Sequence, residues 1–215
     1  MTLETMIITM SSGMLEAIKI FTLTLAGALP FGMVIALLKK SRFFVIRAIV
    51  SAYISVIRGT PLMLQLLAWY FGPYYLFGFN IGNWRFPALI IGFICNYSAY
   101  FAEIYRGGIE SIPVGQYEAA EVLGYTPAQT FNRIILPQVI KRIMPAVTNE
   151  IITLVKDTSL AFSLAYAEVF SLAKQISASQ ASFTPFVIAG TFYFVANYVV
   201  EFILKRIEKS MDYYK

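Results

Sequence analysis

Five ionisable side chains, Arg58, Glu103, Glu150, Lys156 and Asp157, interrupt stretches that are otherwise apolar. At the centre of a bilayer each such charge costs on the order of 2.5–3.5 kcal/mol, so these groups are expected to face a partner or a wet cavity. Helical spacing sorts them into two stripes. Asn96, Tyr100 and Glu103 fall at i, i+4 and i+7, while Glu150, Thr153 and Asp157 fall at i, i+3 and i+7 with Asn149 beside them. Two polar stripes on apolar helices predict the walls of one aqueous path. The chemistry they offer is recognition: Glu103 or Asp157 can accept charge-assisted hydrogen bonds from an ammonium or guanidinium. Backbone donors at a helix broken around Gly59-Thr60-Pro61 can hold a carboxylate.

Each residue also has a plainer reading. Glu103 can pair with Arg106 at i+3, Asp157 can cap a short helix beginning at Thr158-Ser159, and Arg58 can be a packed structural ion. Lys156 points away from Asp157 and can snorkel to the outer interface. The depth of Glu150 depends on where its span begins.

Other chemistries are excluded by composition. With no histidine and a single cysteine, Cys95, the chain can build neither a histidine-based catalytic triad, nor a His/Cys zinc site, nor an internal disulfide. No Gly-x-x-x-x-Gly-Lys-[Ser/Thr] phosphate loop is present, so the chain is not expected to hydrolyse a nucleotide, and no metal or cofactor is assigned to it. It reads as a non-catalytic subunit.

The elements that must position the stripes are membrane spans. Of 215 residues 58% are hydrophobic and 13% charged, with a mean hydropathy of +0.67, too few charges to cover a water-soluble globule. Windows of about 20 apolar residues occur near 19–38, 48–71, 86–105, 138–160 and 185–204. These predict an all-α membrane protein of about five spans in one domain, 1–215, with its core at about 19–206. Leu160–Lys174 is apolar but too short to cross, and reads as a re-entrant or interfacial helix.

Most of the 17 basic residues fall on one side of these spans: Lys39, Lys40, Arg42 and Arg47; Arg106, Arg133, Lys141 and Arg142; Lys205, Arg206, Lys209 and Lys215. By the positive-inside rule that side is cytosolic, with the N-terminus outside and the C-terminus inside. The net charge of +5 thus follows topology and does not form a nucleic-acid patch. Met1–Lys19 carries Glu4 and Glu16 and lacks a basic start, unlike a cleavable signal peptide. Trp69–Phe86 is dense in aromatics and glycines and reads as an outer interfacial belt around a turn.

The longest predicted cytosolic segment, 111–137, is punctuated like two short helices meeting at a corner. Pro113 suits a helix start, Gly124 a left-handed C-terminal cap, and Thr126, Pro127 and Gln129 a capping box, while Ala119 and Ala120 permit close approach. Such a projection is suited to entering a groove on another protein.

Glu118-Ala119-Ala120, then Gly124, then Ile134 and Leu136-Pro137 resembles the EAA loop of ABC-importer permeases at every motif position. Arg58-Gly59-Thr60-Pro61-Leu62, Ala102-Glu103-Ile104-Tyr105-Arg106-Gly107-Gly108-Ile109 and Lys156-Asp157-Thr158-Ser159-Leu160 are similar to the polar amino acid subfamily with histidine, arginine and glutamine permeases. The resemblance spans about 20–206 and implies a type I importer-like fold in a bacterial or archaeal-type cytoplasmic (inner) membrane. It implies that Glu118, Ala119, Ala120 and Gly124 form a coupling helix seated on a separate ATPase subunit, which carries ATP and Mg. It also implies a second permease subunit, identical or a close paralogue, and an extracytoplasmic amino acid-binding protein.

Candidate cargo-binding residues are then Asn96, Tyr100, Glu103, Asn149, Thr153, Asp157 and Arg58. Two carboxylates favour a basic amino acid, Arg, Lys or His, over glutamine or another polar amino acid. A proton-coupled secondary transporter and a structural membrane scaffold are the rival classes.

Overall fold

The computed structural model describes residues 1–211; Lys215, assigned above to the cytosolic side, lies outside the described residues. Among the described residues nine α-helices follow one another: α1 (Leu3–Lys39), α2 (Phe44–Gly59), α3 (Leu62–Phe77), α4 (Arg85–Glu110), α5 (Val114–Val122), α6 (Pro127–Thr130), α7 (Leu136–Asp157), α8 (Val169–Gln180) and α9 (Thr184–Ser210). The fold is all-α, as the sequence predicts, and no strand occurs among the described residues.

α1, α4 and α9 are each long and apolar enough to cross a membrane. α2 and α3 pass the same test only as a pair, bent by 113° at a short break. α7 has the length of a crossing, but its charged residues remove it from that class, and it lies against α4 and α9.

Three sequence expectations are corrected. The first span, expected at 19–38, starts at Leu3, because polar residues before it stay within the helix instead of breaking it. The hydroxyls of Thr9 and Ser11 donate to the carbonyls of Thr5 and Ile7 at 2.8 Å, and Thr2 caps the start. At 1.5 Å per residue α1 is about 55 Å long, well beyond a hydrocarbon core of about 30 Å. Its early residues Met6 and Met10 pack with Val169, Ala173 and Ile176 of α8 and Ala189 of α9.

The second window, 48–71, is not one straight span. Pro61 lacks an N–H and holds Thr60 extended at φ −124°, ψ 149°, so α2 must stop there. The freed carbonyls are met from within: Gln65 Nε2 donates to Ile57 O at 2.8 Å and to Thr60 O at 3.1 Å.

The third correction concerns Leu160–Lys174, which divides into two elements. A 3-10 turn over Thr158–Leu164 ends at left-handed Ala165, and α8 starts only after Glu168, whose carboxylate accepts from Phe170 N and Ser171 N at 2.7 Å. Tyr193 of α9 donates to the same buried carboxylate at 2.7 Å, tying the turn to the last helix.

α4 is the central helix: 61% of its apolar window is buried, against 6% for α9. Small residues permit this closeness. A Cβ on Gly32 of α1 would stand 2.8 Å from Phe101 Cβ of α4, and one on Gly108 would stand 2.1 Å from Ile143 Cγ2 of α7. Any side chain at Gly108 would push apart the helices that flank the 111–137 segment.

Candidate functional site

The two predicted stripes lie on α4 and on the C-terminal part of α7, which pack together, but the fold gives their charges different surroundings. Glu103 is a shared counter-ion. Lys39 of α1 donates to its Oε1, and Arg106 donates to its Oε2 through Nη2 at 2.7 Å and Nε at 3.2 Å. Arg58 Nη1 stands 4.0 Å from the same oxygen. The pairing with Arg106 read from i+3 spacing is therefore present, and Lys39 adds a contact 64 residues away that spacing could not reveal. This cluster joins α1, α2 and α4.

Asn96 is also engaged. It is buried and donates from Nδ2 to Gln65 Oε1 at 2.9 Å, completing the network that holds the α2–α3 break. Tyr100 of the same stripe is part-exposed, with its ring 5.2 Å from the Arg58 guanidinium, a cation–π contact.

The stripe on α7 has no cation bonded to it, although Lys156 acts on Asp157 electrostatically. Asp157 accepts one hydrogen bond, 2.7 Å, from the hydroxyl of Tyr97, which is only 2% exposed. It makes no side-chain capping bond to the turn that follows. Glu150, one of the residues whose depth the sequence leaves open, is half-buried and makes neither a hydrogen bond nor an ion pair among the described residues. Asp157 and Arg58 both act on it electrostatically. Thr153, exposed on the same face, turns its hydroxyl onto Asn149 O at 2.9 Å, and Asn149 itself is exposed. Lys156 is exposed on another face.

The structure thus gathers Arg58, Tyr100, Glu150 and Asp157 into one region and places Glu103 and Asn96 in networks beside it. Glu150 is read from the sequence as part of the Thr153–Asp157 stripe with its depth left open, while one contributor, Tyr97, escapes the sequence reading. It sits one residue off the α4 stripe and its partner lies 60 residues away. Among the described residues no three of His, Cys, Asp and Glu gather closely enough to hold a metal ion.

The 111–137 segment forms at the end of the bundle that also carries the C-terminus of α4 and the N-terminus of α7. Arg142 of α7 donates to Ser111 O, and Gln138 Nε2 to Gln116 Oε1 at 3.3 Å. Gly124 adopts φ +78°, Gly124 N donates to Glu121 O at 2.9 Å and Tyr125 N to Ala120 O at 3.0 Å, a left-handed cap of the kind expected. The capping box is present: Thr126 N donates to Gln129 Oε1 at 2.9 Å and Gln129 N to Thr126 Oγ1 at 3.3 Å.

The second short helix is not separate, however. α6 passes through a π-helical turn, Phe131–Ile135, directly into α7, so the corner is rigidly continuous with the helix bearing Glu150 and Asp157. On α5 only Ala120 is buried; Glu118, Ala119 and Gly124 are exposed. Val122 and Leu123 are 88% and 73% exposed, an apolar tip outside the bundle.

The family described as "Binding-protein-dependent transport system inner membrane component" matches residues 28–213. The arginine transport system permease protein ArtQ of Bacillus subtilis (strain 168) is 37% identical over 200 residues, covering 93% of this chain and 90% of its own length. The L-cystine transport system permease protein TcyB of the same organism is 35% identical over 208 residues, covering 95% and 87%. The crystal structure of an amino acid ABC transporter with histidines superposes with a TM-score of 0.86 at 36% identity, over 94% of each chain.

Proposed function

We propose, from the premise that the chain belongs to the family of binding-protein-dependent transport system inner membrane components and is a permease subunit of an amino acid ABC importer, that its cargo is an amino acid with a cationic side chain. The observation that carries this reading is the pair of intramembrane carboxylates on α7, Glu150 and Asp157, neither of which has a cation bonded to it. Arg58 acts on Glu150, and Lys156 on Asp157, electrostatically and without a bond. A basic amino acid carries two positive groups and one carboxylate, and this region offers two carboxylates and one guanidinium. Glutamine brings one ammonium and a neutral amide, which can donate a hydrogen bond to the second carboxylate but leaves that charge without a counter-ion.

In this reading Arg58 takes the cargo carboxylate, held in place by the ring of Tyr100, while Glu150 and Asp157 take the two cationic groups; Asn149 and Thr153 line the approach. Asp157 Oδ2 is held by the Tyr97 hydroxyl before cargo arrives, so little ordering of that carboxylate is needed on binding. Release into the cytosol requires that this arrangement be broken. The α5 tip supplies the means: the exposed Glu118, Ala119 and Gly124 seat it on a separate ATPase that binds ATP and Mg, while buried Ala120 faces inward. Closure of the ATPase pair moves the corner, and the unbroken path through α6 into α7 transmits that movement to Glu150 and Asp157.

A second permease subunit, identical or a close paralogue, completes the pathway, and an extracytoplasmic binding protein delivers the cargo. The end bearing α5 is the cytosolic one, with the N-terminus outside.

The test is uptake into proteoliposomes of the permease reconstituted with its ATPase and binding protein, using labelled L-arginine. Uptake is expected to vanish when ATP is omitted and to persist with a protonophore. Uptake that survives without ATP and collapses with the protonophore would instead identify a proton-coupled carrier.

A further inference from the structure

Tyr97 is the largest of the fully or nearly fully buried side chains and, among the described residues, the one side chain that hydrogen-bonds to Asp157. It belongs to an aromatic ladder on α4, Phe93, Tyr97, Phe101 and Tyr105, whose neighbouring rings lie 6.3–6.4 Å apart. Phe93 and Phe101 carry no polar atom on their rings, and the hydroxyl of Tyr105 is committed to Leu29 O of α1 at 3.3 Å. Tyr97 alone reaches α7, crossing to Asp157 Oδ2 at 2.7 Å.

A buried phenol with Phe93 stacked on one side and Phe101 tilted against the other has little rotational freedom, so the hydrogen bond fixes the carboxylate and not the reverse. Of the two Asp157 oxygens one is occupied by this donor, which leaves Oδ1 and the remaining lone pair for another donor.

We infer that Tyr97 is a specificity-determining residue: it never touches cargo, but by occupying Asp157 Oδ2 it aims the other carboxylate oxygen at the cationic end of the amino acid. This inference rests on the cargo reading above. Without the phenol hydroxyl, Asp157 is free to rotate about its side-chain bonds. The penalty then falls on a ligand that must meet a fixed charge and spares one that need not. Tyr97 therefore separates a cationic from a neutral side chain, and Tyr97→Phe, which keeps the ladder and the volume, removes that separation alone.

The experiment measures the affinity of the purified permease–ATPase complex, in detergent and without binding protein, for L-arginine and for L-glutamine. Wild type, Tyr97→Phe, Asp157→Asn and the double variant are compared. Tyr97→Phe is expected to weaken L-arginine binding by about 3- to 10-fold and to leave L-glutamine binding and the maximal ATPase rate at saturating L-arginine unchanged. In the Asp157→Asn background the same substitution should do nothing further, since its only route of action is gone. If Asp157→Asn weakens L-arginine binding and Tyr97→Phe does not, the inference fails while the cargo reading stands. Equal weakening of both ligands by Tyr97→Phe, or a full effect in the Asp157→Asn background, makes Tyr97 a packing residue and overturns it as well. If neither variant changes L-arginine binding, the cargo reading falls and takes this inference with it.

Discussion

Glu103 on α4 and Asp157 on α7 are equivalent on paper: both are carboxylates that close an i, i+7 polar stripe in an apolar stretch. In the fold they part company. Glu103 is bonded to Lys39 and Arg106 with Arg58 at 4.0 Å, so its charge is spent on joining three helices. Asp157 has a single neutral donor, and Glu150 on the same face has none. A buried charge with partners is architecture; a buried charge without them is held in reserve for something that arrives. Under the proposed function the difference separates a structural ion from a binding one, which stripe spacing alone could not do.

Substitutions can break this contrast or sharpen it. The largest effect is expected from Glu150→Gln combined with Asp157→Asn, which should weaken L-arginine binding by about 100-fold in titration calorimetry, roughly 1.4 kcal/mol for each carboxylate. The same variant should unfold no earlier than wild type, because removing unpaired buried charges relieves a desolvation cost. Glu103→Gln should invert the pattern. Losing the counter-ion of Lys39 and Arg106 is expected to lower stability by about 1–3 kcal/mol, read as a fall in thermal midpoint, with L-arginine affinity within about twofold of wild type.

The docking corner tests whether the contrast extends to coupling. Gly124→Val forces a β-branched residue to φ +78° and should cost about 1–2 kcal/mol. It should reduce co-purification of the ATPase while leaving L-arginine binding to the membrane subunit intact. The smallest effect is expected at Thr126→Ala, where loss of the N-cap should cost about 0.5–1 kcal/mol. It should be visible as faster amide exchange in 126–130 without a change in the transport rate at saturating cargo.

How much of this could be read from the sequence depends on distance along the chain. The α5 corner was legible in detail because caps are local: Gly124, Thr126 and Gln129 act on backbone groups within five residues. The spans of α4 and α9 were legible because 20 or so apolar residues leave few alternatives. The α2–α3 bend was half legible, since Pro61 marks the break but Gln65 and Asn96, which stabilise it, meet across 31 residues. The early start of α1 was hidden because Thr and Ser residues can satisfy themselves on carbonyls of the preceding turn. Most of what separates Glu103 from Asp157, the contacts with Lys39 and Tyr97, joins residues 60 or more positions apart, and one sequence carries no trace of it.

The most direct test is mass-spectrometric identification of the small molecule that co-purifies with the permease–ATPase complex, from wild type, Glu103→Gln and the Glu150→Gln/Asp157→Asn variant side by side. A basic amino acid should be found with wild type and with Glu103→Gln, and lost from the α7 variant. A neutral amino acid in all three, or loss from Glu103→Gln with retention by the α7 variant, would contradict the assignment of Glu150 and Asp157 as the cargo carboxylates.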